Sequence, residues 1–131
     1  MLQPKERALL GALNHARTAR GLQPLEVDPA LGRAARGHSR TLLERDVLAH
    51  GAFAARLAGF GARGPAYGEN LAWGVGALAK ARSIVRAWLA SPGHRVNLLR
   101  PGWRRIGIGA AVGTFDGYRG ATVVTADFAG S

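Results

Sequence analysis

A chain of 131 residues with 47% hydrophobic content can bury its own core and is too apolar for a disordered tail. It has no cysteine, which excludes a disulfide framework and thiolate chemistry, and no apolar run approaches the roughly 20 residues of a bilayer span. The net charge of +10 favours anionic polymers and surfaces, but the basic residues are scattered, all arginine except Lys5 and Lys80, which disfavours a specific nucleic-acid site.

In chain order, residues 4–20 read as an amphipathic helix. Pro4 suits its first turn, Leu9, Leu10, Leu13 and Ala16 form one apolar face, and Gly21 supplies the stop. The start of the chain, Leu2-Gln3-Pro4-Lys5, lacks the apolar core of a signal peptide. That leaves a cytoplasmic protein, or one whose leader lies outside this sequence. Leu22 to Leu25 is extended, with Pro24 holding Gln23 out of the helical region. Asp28-Pro29 is an N-cap followed by a first-turn proline, opening a second helix to about Asp46. Its buried stripe is Leu31, Ala34 or Ala35, His38 and Leu42.

A short third helix over 52–59 carries Phe53 and Leu57, and a glycine-rich stretch leads to a strand over Tyr67–Trp73. Residues 77–90 form a helix with Ile84, Val85, Trp88 and Leu89 on its apolar side, and Ser91-Pro92 starts a further helical turn. Arg104 to Val112 alternates Ile106, Ile108, Ala110 and Val112 against Gly107, Gly109 and Ala111, a period-two strand. Asp116-Gly117 marks a hairpin turn, and Ala121 to Phe128 returns as its partner. This order predicts a single α+β domain over 1–131, a layered sandwich with a small, mostly antiparallel sheet.

Three chemically capable side chains stand at glycine- or proline-punctuated edges: His50 before Gly51, Glu69 after Gly68, and His94 after Ser91-Pro92-Gly93. Two imidazoles and a carboxylate suit zinc or another divalent cation. For His50 the alternative is a surface loop histidine. For His94 it is a turn residue held by hydrogen bonds, with Ser91 capping the backbone of that turn. Glu69 is read three ways: a ligand, a base on bound water, or a carboxylate that orients a histidine. Asn70 and Asn97 read as loop-fixing amides, His38 as a core histidine bonded to backbone, and His15 as solvent-facing. A Ser91–His94–Glu69 hydrolytic set is disfavoured, because no strained nucleophile turn is present.

Several stretches in order resemble the CAP superfamily of cysteine-rich secretory, antigen 5 and pathogenesis-related proteins (the SCP domain) in its bacterial, cysteine-free form. They are Leu13-Asn14-x-x-Arg17, the Asp28-Pro29 helix through His38-Ser39, His50, Arg56-Leu57, Gly68-Glu69-Asn70-Leu71-Ala72, Trp88-Leu89-x-Ser91-Pro92-Gly93-His94-Arg95-x-Asn97, and Ile106-Gly107-Ile108-Gly109. The resemblance implies a three-layer α-β-α sandwich with a cleft lined by two histidines and two acids. His50, Glu69 and His94 match three of these positions. The fourth is Ser91, where the family carries an acid, so Ser91 and Asn70 are assigned to the cleft without a full acidic tetrad. The resemblance also implies an extracellular or periplasmic protein.

The function expected is therefore a secreted or envelope binding module. Its histidine cleft holds a divalent cation, and its ligand class (lipid, glycan or peptide) is open. The alternative is a zinc-assisted hydrolase with His50 and His94 on the metal and Glu69 as base. Enzyme status is left open, with the balance against it.

Overall fold

The computed structural model describes residues 2–130. Helix α1 spans Pro4–Thr18, with the Glu6 carboxylate accepting the Gln3 N–H at 2.9 Å in its first turn. It stops two residues short of the expected end, and Gly21 completes the turn at φ 74°. Strand β1 (Glu26–Val27) lies in the segment read only as extended. Helix α2 runs Pro29–Arg45, and Asp28 caps it by accepting from Ala30 and Leu31 N–H at 2.9 and 3.3 Å. Helix α3 is Phe53–Gly59 and strand β2 is Tyr67–Gly74.

The helix expected over 77–90 is divided. A 3₁₀ turn at Gly76–Ala79 precedes α4 at Ala81–Ala90, because Lys80 between them takes an extended conformation (φ −71°, ψ 145°). Helix α5 is Pro92–Leu98. Strands β3 (Trp103–Phe115) and β4 (Tyr118–Gly130) are longer than the alternation alone marks out. Only Asp116 and Gly117 separate them, both at positive φ (50° and 81°), a two-residue turn whose twist lets pairing continue to the tip.

The sheet order is β1-β3-β4-β2, with β1 parallel to β3 and the other pairs antiparallel. Both faces are covered. On one, Ile106, Ile108, Val124 and Phe128 pack with Leu9 and Leu13 of α1 and with Ile84 and Trp88 of α4. On the other, Leu31 and Ala34 of α2 meet Leu57 and Ala129, and Leu42 meets Leu71, Phe115 and Val123. This is the three-layer α-β-α sandwich expected. Each fully buried Leu, Ile or Phe side chain stabilises it by about 1.5–3 kcal/mol.

Gly107 and Gly109 explain how closely α2 approaches. A Cβ on Gly107 would lie 2.0 Å from the Leu31 carbonyl carbon, and one on Gly109 2.2 Å from the Arg36 nitrogen. Their face of β3 is therefore seated against helix backbone.

Two motif residues act as struts. Asn14 exchanges two hydrogen bonds with the Leu25 backbone at 2.8 and 3.1 Å. Buried Arg17 donates to the carbonyls of Gln23, Leu98 and Arg100, joining the end of α1 to the end of α5. Among the described residues, no helix is long and apolar enough to cross a membrane.

Candidate functional site

The site straddles β2, an edge strand of the sheet. From one side comes the loop after α2. Asp46 ends that helix in the left-handed conformation (φ 54°) and accepts the Asp116 N–H at 2.6 Å, which pins the loop to the β3–β4 hairpin. His38 Nε2 lies 2.8 Å from the Ala49 carbonyl. A carbonyl only accepts, so Nε2 carries the proton and donates. Burial, the largest influence, moves His38 below its ordinary pKa and keeps the ring neutral. The expected core histidine thus fixes the residue just before His50.

Glu69 is the hub. Its side chain is fully buried, with Oε1 2.9 Å from His50 Nδ1 and Oε2 2.5 Å from the Arg56 guanidinium of α3. Burial pushes the Glu69 pKa up. Hydrogen bonds from Asp127, Arg56 and His50, with the Arg56 charge, outweigh that and hold it below the ordinary value. A carboxylate only accepts, so His50 Nδ1 donates to it. In a neutral His50 ring the lone pair is then on Nε2, and this side chain is 49% exposed.

Directly across the β2–β4 ladder from Glu69 stands Asp127, which is fully buried. Its Oδ2 lies 3.4 Å from Arg56 Nη1, but Oδ1 has no hydrogen-bond partner as a carboxylate. A proton resolves the orphan, because protonated Asp127 donates to Glu69. Burial, the hydrogen bond with Glu69 and the Glu69 charge together push Asp127 up to about 10. The site therefore contains one carboxylate and one carboxylic acid, with a single arginine between them.

From the other side of β2 comes His94, in the first turn of α5. Ser91 precedes that helix, but its side chain caps no backbone N–H. Its Oγ is instead 3.0 Å from His94 Nδ1, so the capping role expected for Ser91 is replaced by one that orients the histidine. Burial, and then the charge of His50, lowers the His94 pKa. Asn70 donates to the His94 carbonyl at 3.0 Å, while Asn97 donates to the Glu69 carbonyl at 2.9 Å and to Asn70 Oδ1 at 3.2 Å. Both are the loop-fixing amides expected. Gly68 leaves room for this lattice, since a Cβ there would lie 2.6 Å from the Trp103 ring and 2.8 Å from Asn97 Oδ1.

Beside His50 opens a hollow of about 460 Å³, floored by Gly37, His38 and Thr41 and rimmed by Arg45, Arg56 and Phe60. Glu69 and His94 do not line it. Among the described residues, no three His, Asp or Glu side chains are gathered as a metal-ligand set. Glu69 already accepts from His50 and Arg56, and its fully buried carboxylate does not border the hollow. The two imidazoles have their Nδ1 atoms occupied, by Glu69 and by Ser91, and that geometry directs any shared ligation through Nε2. The Ser91–His94–Glu69 set is not assembled, because Glu69 meets the other histidine.

Sequence reading missed Asp127 altogether and left Arg56 without a role. The signal for Asp127 was available: Thr122 to Phe128 is uninterrupted by turn residues, and an acid inside a strand with both faces covered needs a partner.

The family model described as the cysteine-rich secretory protein family, CAP, matches residues 10–128. The uncharacterized protein YkwD of Bacillus subtilis (strain 168) is 31% identical over 109 residues, covering 79% of this chain and 41% of the relative. The chain thus spans about two-fifths of that relative's length. An extracellular protein containing an SCP domain from Bacillus anthracis superposes with a TM-score of 0.82 at 23% identity, over 100% of this chain and 45% of its own. An outer surface protein from Borrelia burgdorferi gives a TM-score of 0.78 at 23% identity, over 99% and 97%. These two likenesses concern the fold.

Proposed function

The chain belongs to the cysteine-rich secretory protein (CAP) family, and on that footing we propose an extracellular or envelope binding module whose two cleft histidines take up a divalent cation, zinc by preference. The observation that carries this reading is the orientation of the rings. Glu69 holds His50 and Ser91 holds His94, each through Nδ1. A carboxylate behind an imidazole fixes both its direction and its tautomer. The Ser91 hydroxyl, which donates or accepts, fixes the direction of His94, and Nε2 is free to ligate when Nδ1 donates to it. The lowered pKa of His94 supports it too, since only a neutral imidazole ligates. Glu69 is then a positioning residue. Bound at the two Nε2 atoms, a cation would supply Lewis acidity to an oxygen of an incoming ligand.

Binding is favoured over hydrolysis for a geometric reason. A base must reach a water, and the Glu69 carboxylate is fully buried and does not border the hollow. Asp127, protonated, is no base either. The ligand would enter by the hollow beside His50, where Arg45 and Phe60 offer charge and an aromatic surface to a glycan, lipid or peptide. An extracellular place accords with the SCP-domain and outer-surface proteins that share the fold.

The test is thermal denaturation with and without zinc. At a zinc concentration of about 100 times Kd, the wild type gains roughly 2.7 kcal/mol, and the His50→Ala, His94→Ala double variant gains nothing. Equal gains in both proteins would reject the cleft as the site.

A further inference from the structure

Strand β3 has one edge that the sheet leaves largely uncovered. Strand β1 pairs with it only at Arg105 and Ile106, and among the described residues no strand lies beside the rest of that edge. Two bonds show which residues turn their backbone outward. The Ile106 carbonyl accepts the Asp28 N–H at 2.9 Å, and the Ala110 N–H donates to Glu6 Oε2 at 3.2 Å. Neither group is spent on β4, and the register with β4 runs without a break from Arg105 to Gly113. Every second residue of this stretch therefore faces the edge, as antiparallel pairing requires. The Ala110 carbonyl and both backbone groups of Val112 point away from the sheet, and Val112 is 55% exposed. Such a row of unpaired groups is a template for another strand.

A hollow of about 520 Å³ runs along this stretch, between the start of α1 and the middle of α2, and takes in Ala110 and Val112. Its charge is of one sign. Lys5, Arg36 and Arg40 border it, and no Asp or Glu is in its lining among the described residues. Arg36 is paired with Glu6 at 2.7 Å, whereas Lys5 and Arg40 are exposed and belong to no ion pair. These two cations serve opposite faces of the sheet. Gly109 and Gly113 abut Arg36 and Leu43 of α2, the turns that bracket Arg40. Ala110, on the other face, packs with the cluster to which α1 contributes Leu9 and Leu13. A strand laid beside β3 alternates its side chains between these faces, so one residue meets Lys5 and the next meets Arg40. Glu6 already shows the chemistry, since its carboxylate accepts an edge N–H beside a guanidinium.

We infer that this edge is a docking site for an extended acidic segment of another protein, added as a short strand beside residues 110–112. Its backbone bonds the Ala110 carbonyl and Val112, and two adjacent carboxylates reach Lys5 on one face and Arg40 on the other. A second copy of this chain fits poorly. Pairing β3 with itself would set Lys5 and Arg40 against their own counterparts, on chains of net charge +10. The cations that keep copies apart thereby select an acidic strand.

The test is an NMR titration of the full chain at low salt with an end-capped hexapeptide, acetyl-Thr-Val-Glu-Asp-Val-Thr-amide, followed by amide shifts and amide hydrogen exchange. The peptide should bind saturably, move the amides of Ala110 and Val112, and slow exchange at Val112, whose N–H becomes bonded. Its Gln-Asn analogue should bind about tenfold more weakly, and the Lys5→Gln, Arg40→Gln double variant should lose about the same factor toward the acidic peptide. A peptide N-methylated at its two central residues keeps both charges but loses its backbone donors, and it should also bind about tenfold more weakly. The inference is overturned if the neutral or the N-methylated peptide matches the acidic one, if the double variant binds like wild type, or if the shifts map elsewhere. Protection of the Val112 amide without peptide, by a dimer that grows with protein concentration, would also overturn it by assigning the edge to a second copy.

Discussion

Replacing Asp127 with Asn tests the carboxylic acid buried beside Glu69. Asp127 is raised from 3.8 to about 10 in the folded chain. Between those values the folded protein keeps a proton that the unfolded chain has released. Stability associated with this group is fully present below pH 3.8 and falls as pH rises toward 10. The slope is about 1.4 kcal/mol per pH unit, and it holds over pH 5–8 provided the folded value stays above 8. Asn cannot ionise, and its N–H can replace the acid's O–H on Glu69, so the variant has no such slope. Groups that do not touch residue 127 titrate alike in the two proteins, and Glu69, held below its ordinary value, is ionised over this range. The stability of Asp127→Asn minus that of wild type should therefore climb by about 4 kcal/mol from pH 5 to pH 8, read from urea melts at each pH. A difference that stays flat across this range, or that favours wild type increasingly at high pH, would refute the protonated acid.

Four further outcomes follow from the same geometry. Gly107→Ala would drive a Cβ into the Leu31 backbone at 2.0 Å, and it should cost more than about 3 kcal/mol in a denaturant melt. Gly11→Ala, in α1 with nothing within 4 Å of a new Cβ, should instead add about 0.5–1 kcal/mol. In an NMR titration His94 should protonate below 6.5, and His50→Ala should raise its midpoint without restoring 6.5, because burial remains. Arg56→Met should destabilise by about 3–5 kcal/mol at neutral pH, since it leaves the Glu69 carboxylate without its countercharge.

Much of the scaffold was legible in the residues because its signals are local. Asp28-Pro29 carries its own cap, the Ile106–Val112 alternation has a period of two, and Asp116-Gly117 is a turn by its conformational demands. Boundaries went astray where a neighbour intervened. Lys80 breaks the 77–90 helix because its extended conformation divides the 3₁₀ turn from α4, and no residue type there announces the break. At the site, the sequence marks His50, Glu69 and His94 as chemically capable, and the fold brings His50 onto Glu69. It could not assign their contacts. Whether Glu69 meets His50 or His94, and whether Ser91 caps a helix or holds a ring, depends on side-chain directions fixed by elements far apart in the chain. Asp127 could be noticed as an acid inside a covered strand, but its partner is set only by the register that places it opposite Glu69.

The central claim is that Glu69 orients His50 from behind while the two imidazoles ligate through Nε2. A crystal of the zinc-loaded protein, with anomalous density collected at the metal edge, addresses it directly. The account predicts a peak about 2.0–2.1 Å from Nε2 of both His50 and His94, with Glu69 still on His50 Nδ1 and on Arg56. A peak on the Glu69 carboxylate, or one touching neither imidazole, would contradict it.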